Sequence, residues 1–399
     1  MSRKIFLAED TISQEELNNL GDWIKQNNRL TKGPLCIEFE KEFAKWQGSK
    51  YALFVNSGSS ANLVMAWALI QGDYLKNKKI IAPSVSWCTT VTPFMQLGCE
   101  ISLCDCDKDD LGLDLEHFEK LCKEQQPSLA IIVHVLGHAN KMKEIQAICD
   151  KYGVLLVEDS CEALGSEYNG KKCGSLSLAG SFSFYYGHHI STVEGGMVVT
   201  NDEKLYNLML SIRSHGWGRD VSKEYHDAWA KEYNIDDIRD LYTFYFSGFN
   251  LRSTDLNAFL GLSQVKKIDE LAKKREENFN LYKNHLKDYW CQKSDSSFLS
   301  NFAYGILVEN RMDVYNHLKA NNIETRPLIC GNIGLHPFWI KQYGECHLKN
   351  ADIIHDFGLY LPNHFNLTGE DIKFICDKFK EVAKPMFPII SKDLAIENV

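Results

Sequence analysis

VLLVEDSCEALGS, residues 154–166, runs through a continuous apolar stretch into two acids, Glu158 and Asp159, and then a short polar turn. A strand that is apolar at nearly every position is buried on both faces, which points to a parallel sheet covered by helices on each side. In open sheets of this kind ligands gather beyond the carboxyl ends of the strands, where the two acids stand. Burying a carboxylate there is costly unless a cation or hydrogen-bond donors meet it.

Outward from this stretch the same alternation repeats. YALFV (51–55), KIIAP (79–83), EISLC (100–104), LAIIVHV (129–135), SFSFY (181–185) and GMVVT (196–200) read as further strands. Amphipathic helical patterns at 60–71, 113–125 and 142–152 separate several of them. The predicted class is α/β, with a large domain built on a mostly parallel seven-stranded sheet over residues 1–255. A long helical pattern at 254–288 serves as a connector. It leads into a smaller carboxyl-terminal α+β unit, so the second domain is placed at 256–399. The charged stretch 219–240 reads as an exposed excursion.

Composition excludes several classes. Among 399 residues, 44% are hydrophobic and 24% charged, as in ordinary globular chains and unlike disordered ones. Lys and Arg number 44 against 53 Asp and Glu, a formal charge of -9, which argues against nucleic acid as the main partner. The start, MSRKIFLAEDTIS, shows no secretory signal, and no apolar run is long enough to span a membrane, so the expected setting is cytoplasmic. Thiols stay reduced there, and the 13 cysteines are expected to be buried and free.

Three segments carry chemistry. YALFV runs into NSGSSAN (56–62) and directly into a helix, so free amides, hydroxyls and the positive dipole end suit a phosphate; plain helix capping is the alternative. The acids of 154–166 would suit a protonated pyridine nitrogen, or would simply cap a helix. GSFSFYYGHHISTVEGGMVVT (180–200) places two histidines in an irregular turn, and acid–base work is favoured over metal because adjacent side chains rarely converge on one ion. No metal site is expected.

The order of these segments resembles the fold-type I pyridoxal phosphate (PLP) enzymes, and more narrowly the DegT/DnrJ/EryC1/StrS family of nucleotide-sugar aminotransferases. Supporting stretches include APSVSWCTTV (82–91), RSHGWGRD (213–220), GFNLRSTDLNAFLGLSQ (248–264) and IETRP (323–327). The family's aminotransferases carry a Schiff-base lysine four residues after the second Phe of FSF. Counting from Phe184, that position here is His188. Imidazole forms no stable Schiff base but shuttles protons near neutral pH.

The resemblance therefore implies a branch of the family that removes a sugar hydroxyl, the 3-dehydratases, with PLP and its amine form pyridoxamine phosphate (PMP) bound non-covalently. It implies glutamate as amino donor and a nucleotide-linked 4-keto-6-deoxy sugar as substrate, with GDP favoured and hexose or heptose open. The products would be the 3-deoxy-4-keto sugar, 2-oxoglutarate and ammonia, in dideoxysugar biosynthesis for lipopolysaccharide or capsule. His188 is the implied catalytic base. Gly58, Ser59 and Ser183 are implied phosphate contacts, and Trp87 stacks on the cofactor ring. Asp159 would pair with the ring nitrogen, and Glu162 would lie near the phenolic oxygen. Asn250 is expected to reach the phosphate from a neighbouring subunit of a homodimer. His215, Arg219 and Arg326 are candidate substrate contacts; a structural salt bridge is the alternative for the two arginines. A related branch carries an iron–sulfur cluster and needs a reductase. Here the close pair Cys104 and Cys106 precedes His188, and Cys291, Cys330, Cys346 and Cys376 are widely spaced, so neither cluster nor reductase is expected. Two other readings are a sugar aminotransferase in which His189 or a distant lysine substitutes, and an inactive PLP-fold regulator.

Overall fold

The computed structural model describes residues 4–387; residues 1–3 and 388–399 of the two expected domain ranges lie outside it. Seven strands form the central sheet: β1 (Tyr51–Val55), β2 (Lys79–Pro83), β3 (Glu100–Cys104), β4 (Leu129–Val133), β5 (Leu155–Asp159), β6 (Ala179–Ser183) and β7 (Gly196–Thr200). Their order is β1-β7-β6-β5-β4-β2-β3. Only β7 runs antiparallel to its neighbours. The run from Leu129 to Val133 is buried throughout, as a doubly covered strand requires. Helices Gly58–Gln71 and Glu203–Arg213 pack on one face with Val64, Met65 and Met209; Met142–Tyr152 packs on the other with Ile145 and Cys149.

The carboxyl-terminal part carries its own three-stranded antiparallel sheet, Tyr304–Leu307, Gly358–Leu361 and Arg326–Pro327, with the second strand in the middle. Helix Gly369–Lys380 covers it through Ile372, Ile375 and Phe379. The chain's start joins this unit, since Ile5 bridges to Ile323 and shares its core.

Two expectations are corrected. The helical pattern 254–288 is not one helix: it divides into Asp255–Val265 and Ile268–His285. A tertiary anchor sits at the break. Lys267 Nζ pairs with the buried carboxylate of Glu16 at 2.5 Å, and Gln264 Nε2 donates to the same group at 2.9 Å. All 13 cysteines are free, but Cys88, Cys161, Cys291, Cys330 and Cys346 are only partly buried. The excursion 219–240 is exposed as expected, its helices Lys223–Glu232 and Asp237–Asp240 burying no residue fully.

Beneath β1, Arg213 is fully buried and pairs with Glu40, whose Oε1 also accepts from the Phe54 amide at 2.8 Å. Removing one partner strands the other charge. Glu40→Ala is expected to lower the unfolding free energy by about 3–5 kcal/mol in urea titration; a loss below about 1 kcal/mol would show that Arg213 finds other compensation.

Candidate active site

A cavity of about 380 Å³ opens at the carboxyl ends of β1, β5 and β6 and is closed on the far side by the carboxyl-terminal sheet. Eight expected residues line it: Gly58, Ser59, Trp87, Asp159, Glu162, Ser183, His188 and Arg326. Their convergence follows from topology. β5 and β6 are parallel neighbours with Asp159 in register with Ser181, so Asp159 and, two residues further along β6, Ser183 reach the same edge, to which β1 delivers Gly58.

The two acids of β5 have different fates because successive side chains face opposite sides of a sheet. Glu158 turns away from the cavity and is fully saturated: His134 Nε2 lies 2.9 Å away, and the Gly174 and Leu176 amides and the Ser177 hydroxyl donate to it at 2.6–2.8 Å. Asp159 faces the cavity. Its Oδ2 accepts from Asn62 Nδ2 and Thr90 Oγ1, each at 2.8 Å, and its Oδ1 from the Cys161 amide at 3.1 Å. No cation pairs with it among the described residues.

Ser57 caps the helix Gly58–Gln71 by accepting from the Ser60 amide, while the Gly58 and Ser59 amides find no acceptor among the described residues. Gly58 is obligatory for packing. A Cβ there would lie 2.6 Å from Ser183 Cβ and 3.2 Å from Cys161 Sγ, so a side chain would fill the cradle. Two free amides at a helix start, with Ser59 and Ser183 beside them, could hold an anion. Trp87, 58% exposed, is no core residue and offers its indole to the cavity. These groups fit a phosphorylated, protonated aromatic ring.

His188 stands half-buried at the cavity wall. Its Nδ1 hydrogen bonds to the Cys161 carbonyl at 2.8 Å, so Nδ1 carries the hydrogen and Nε2 is left with a lone pair and no protein partner among the described residues. Withdrawal from water pushes its pKa down to about 4. His189 points the other way, is buried, and donates from Nε2 to the Ser300 carbonyl at 3.0 Å; it is a packing residue. Burial, with help from the Asp159 charge, pushes Glu162 up to about 8, although the Leu136 amide donates to it at 2.9 Å.

Three expected residues lie outside this chain's cavity. Asn250 bridges to Ser214 and accepts from Arg252 Nε at 3.0 Å, and His215 lies 3.4 Å from Arg252 Nη2. Arg219 stacks on Trp217 at 5.3 Å. Sequence reasoning missed Asn62 and Thr90, although both lie in quoted stretches. It missed Arg275 and Phe302 as well, which line the cavity beside His188 and had no local signal. Among the described residues, no group of three or more His, Cys, Asp or Glu side chains could hold a metal ion, and no helix is long and apolar enough to cross a membrane.

Fold and site define a chain of the DegT/DnrJ/EryC1/StrS aminotransferase family: the family profile matches residues 10–380, and the protein belongs to it. It is 32% identical to GDP-4-keto-6-deoxy-D-mannose 3-dehydratase of Yersinia pseudotuberculosis over 94% of this chain and 98% of that protein. It is 31% identical to the UDP-4-amino-4,6-dideoxy-N-acetyl-beta-L-altrosamine transaminase of Campylobacter jejuni over 94% and 96%. A crystal structure of GDP-4-keto-6-deoxymannose-3-dehydratase with a trapped PLP–glutamate geminal diamine superimposes with a TM-score of 0.85 at 29% identity, covering 94% of this chain and all of that one.

The imidazole makes a testable contribution to stability. The unfolded chain takes up a proton at His188 near pH 6.5, the folded chain only near 4, so acidification through that window favours unfolding. The stability of the native protein relative to His188→Asn should therefore fall as pH drops from about 6.5 to about 4 in denaturant titrations. A gap constant from pH 7 to 4 would contradict the assignment.

Proposed function

We propose that this protein is a PMP-dependent C-3 dehydratase of a nucleotide-linked 4-keto-6-deoxy sugar, with GDP the favoured nucleotide and glutamate the amino donor. The observation that carries the reading is His188. It occupies the family's lysine position, and no lysine among the described residues lines the cavity. The intact anion cradle, Asp159 and Trp87 speak against an inactive scaffold, and the buried, carbonyl-bound His189 speaks against a substitute nucleophile. The relatives' GDP-sugar names and trapped glutamate adduct support the substrate and donor.

When bound, the cofactor supplies a primary amine and an electron-withdrawing ring. The Gly58 and Ser59 amides with Ser183 would hold its phosphate, Trp87 would stack on the ring, and the Asp159 carboxylate would accept the ring N–H and keep it positive. Glu162 would face the phenolic oxygen. His188 is poised as base: Nδ1 is fixed on the Cys161 carbonyl, and Nε2 takes a proton from the ligand before it and returns it to the departing C3 hydroxyl. Arg326 at the mouth would meet the diphosphate. Asn250, His215 and Arg219, outside their own chain's cavity, would act in a partner's cavity, which calls for a homodimer. The range 1–255, apart from the stretch at Ile5 that joins the small domain's core, would form the cofactor domain and 256–399 the connector and small domain, in a cytoplasmic enzyme independent of any cluster or reductase.

Incubated with PLP, glutamate and GDP-4-keto-6-deoxymannose, the protein should release ammonia and 2-oxoglutarate together with a 3-deoxy sugar nucleotide. An amino sugar without ammonia would establish the transaminase instead. His188→Asn should keep the cofactor and lose about 10²–10⁴-fold in turnover.

A further inference from the structure

Arg275 comes from helix Ile268–His285 to the cavity wall behind His188 and is 3% exposed. Its Nη1 donates to the carbonyl oxygens of Phe302 at 2.9 Å, Asn301 at 3.5 Å and Asn363, and its Nη2 reaches the His188 carbonyl at 3.5 Å. Every acceptor is neutral. No Asp or Glu among the described residues pairs with it, and burial lowers its pKa to about 10, so the guanidinium stays charged at neutral pH in a place where charge is costly. Phe302 neighbours both groups, its ring 5.3 Å from the His188 ring and 5.9 Å from the guanidinium carbon.

The other groups around His188 do not all push the same way. From the end of β5 and the turn after it come Asp159, whose charge favours a protonated ring, the Cys161 thiol and Glu162. His189 and Tyr185 lie on the histidine's own loop, and Glu194 and Arg326 line the cavity from the loop before β7 and from the carboxyl-terminal sheet. Burial is the largest influence on His188 and favours its neutral form; Asp159 works against burial, and Arg275 is the fixed cation that works with it.

We propose that Arg275 is a positioning residue for the His188 base: it ties the His188 carbonyl to the carbonyls of Phe302 and Asn363, and its charge, unpaired by any carboxylate among the described residues, opposes the pull of Asp159 on the ring. The proposal rests on reading His188 as the base. It also couples the histidine loop to the carboxyl-terminal unit through Asn363, so one side chain sets both the place and the proton occupancy of the ring.

Histidine-selective NMR of the cofactor-loaded protein, with His188 assigned through His188→Asn, reads that occupancy whatever reaction is catalysed. Arg275→Gln should move the His188 titration upward, and Arg275→Lys, which keeps the charge and loses the fork, should leave it in place while kcat falls and KM holds. An unmoved titration in folded Arg275→Gln overturns the proposal. Where that variant does not fold, an upward move in Arg275→Lys overturns it equally. If instead the native protein releases no ammonia, the dehydratase reading fails while the titration result still stands.

Discussion

The backbone of one residue, Cys161, holds the site together. Its amide donates to Asp159 Oδ1 at 3.1 Å and its carbonyl accepts from His188 Nδ1 at 2.8 Å. The carboxylate that would charge a bound ring and the imidazole that would move protons are thereby fixed to the same short turn. The tautomer follows from this bond: with Nδ1–H committed, the lone pair of Nε2 is left for the cavity. A lysine at this position would need no such orientation, because its amine is both anchor and base. An imidazole does, since only one of its nitrogens can be the base.

Around this turn the structure arranges opposed charges at close quarters. Asp159 is satisfied by neutral donors, Asn62 and Thr90, and faces the cavity with no cation beside it among the described residues. Arg275 is satisfied by neutral carbonyls and keeps its charge. Glu162, pushed up to about 8 chiefly by burial, lines the same cavity. Burying charge this way costs stability, and the sheet edge is where the fold tolerates it, because strand ends bring several elements to one point without requiring them to pair.

Much of this could be read in the chain. Period and composition placed β1, β2, β3 and β7 at their observed bounds, because a doubly covered strand leaves an unbroken apolar run. Asp159 and Gly58 were legible because one ends a strand and the other opens a helix, where sequence position and spatial position coincide, whereas His188, in the turn beyond β6, was legible through the family pattern. What stayed hidden depends on contacts distant in sequence. The break at Lys266–Lys267 is marked by Glu16, about 250 residues earlier, and the role of Arg275 by Phe302 and Asn363. Nothing local distinguishes a helical arginine facing solvent from one facing a base. The resemblance chose Asp159 over Glu158; the physical reason, which face of β5 meets the cavity, is set by His134 and the turn at Gly174–Ser177.

The central claim is that a histidine, with no covalent anchor for the cofactor, performs the work done elsewhere in the family by a lysine. Borohydride reduction of the PLP-loaded protein followed by intact mass measurement tests it most directly. The account predicts an unmodified chain mass; a reduced phosphopyridoxyl adduct retained at a single lysine would contradict it.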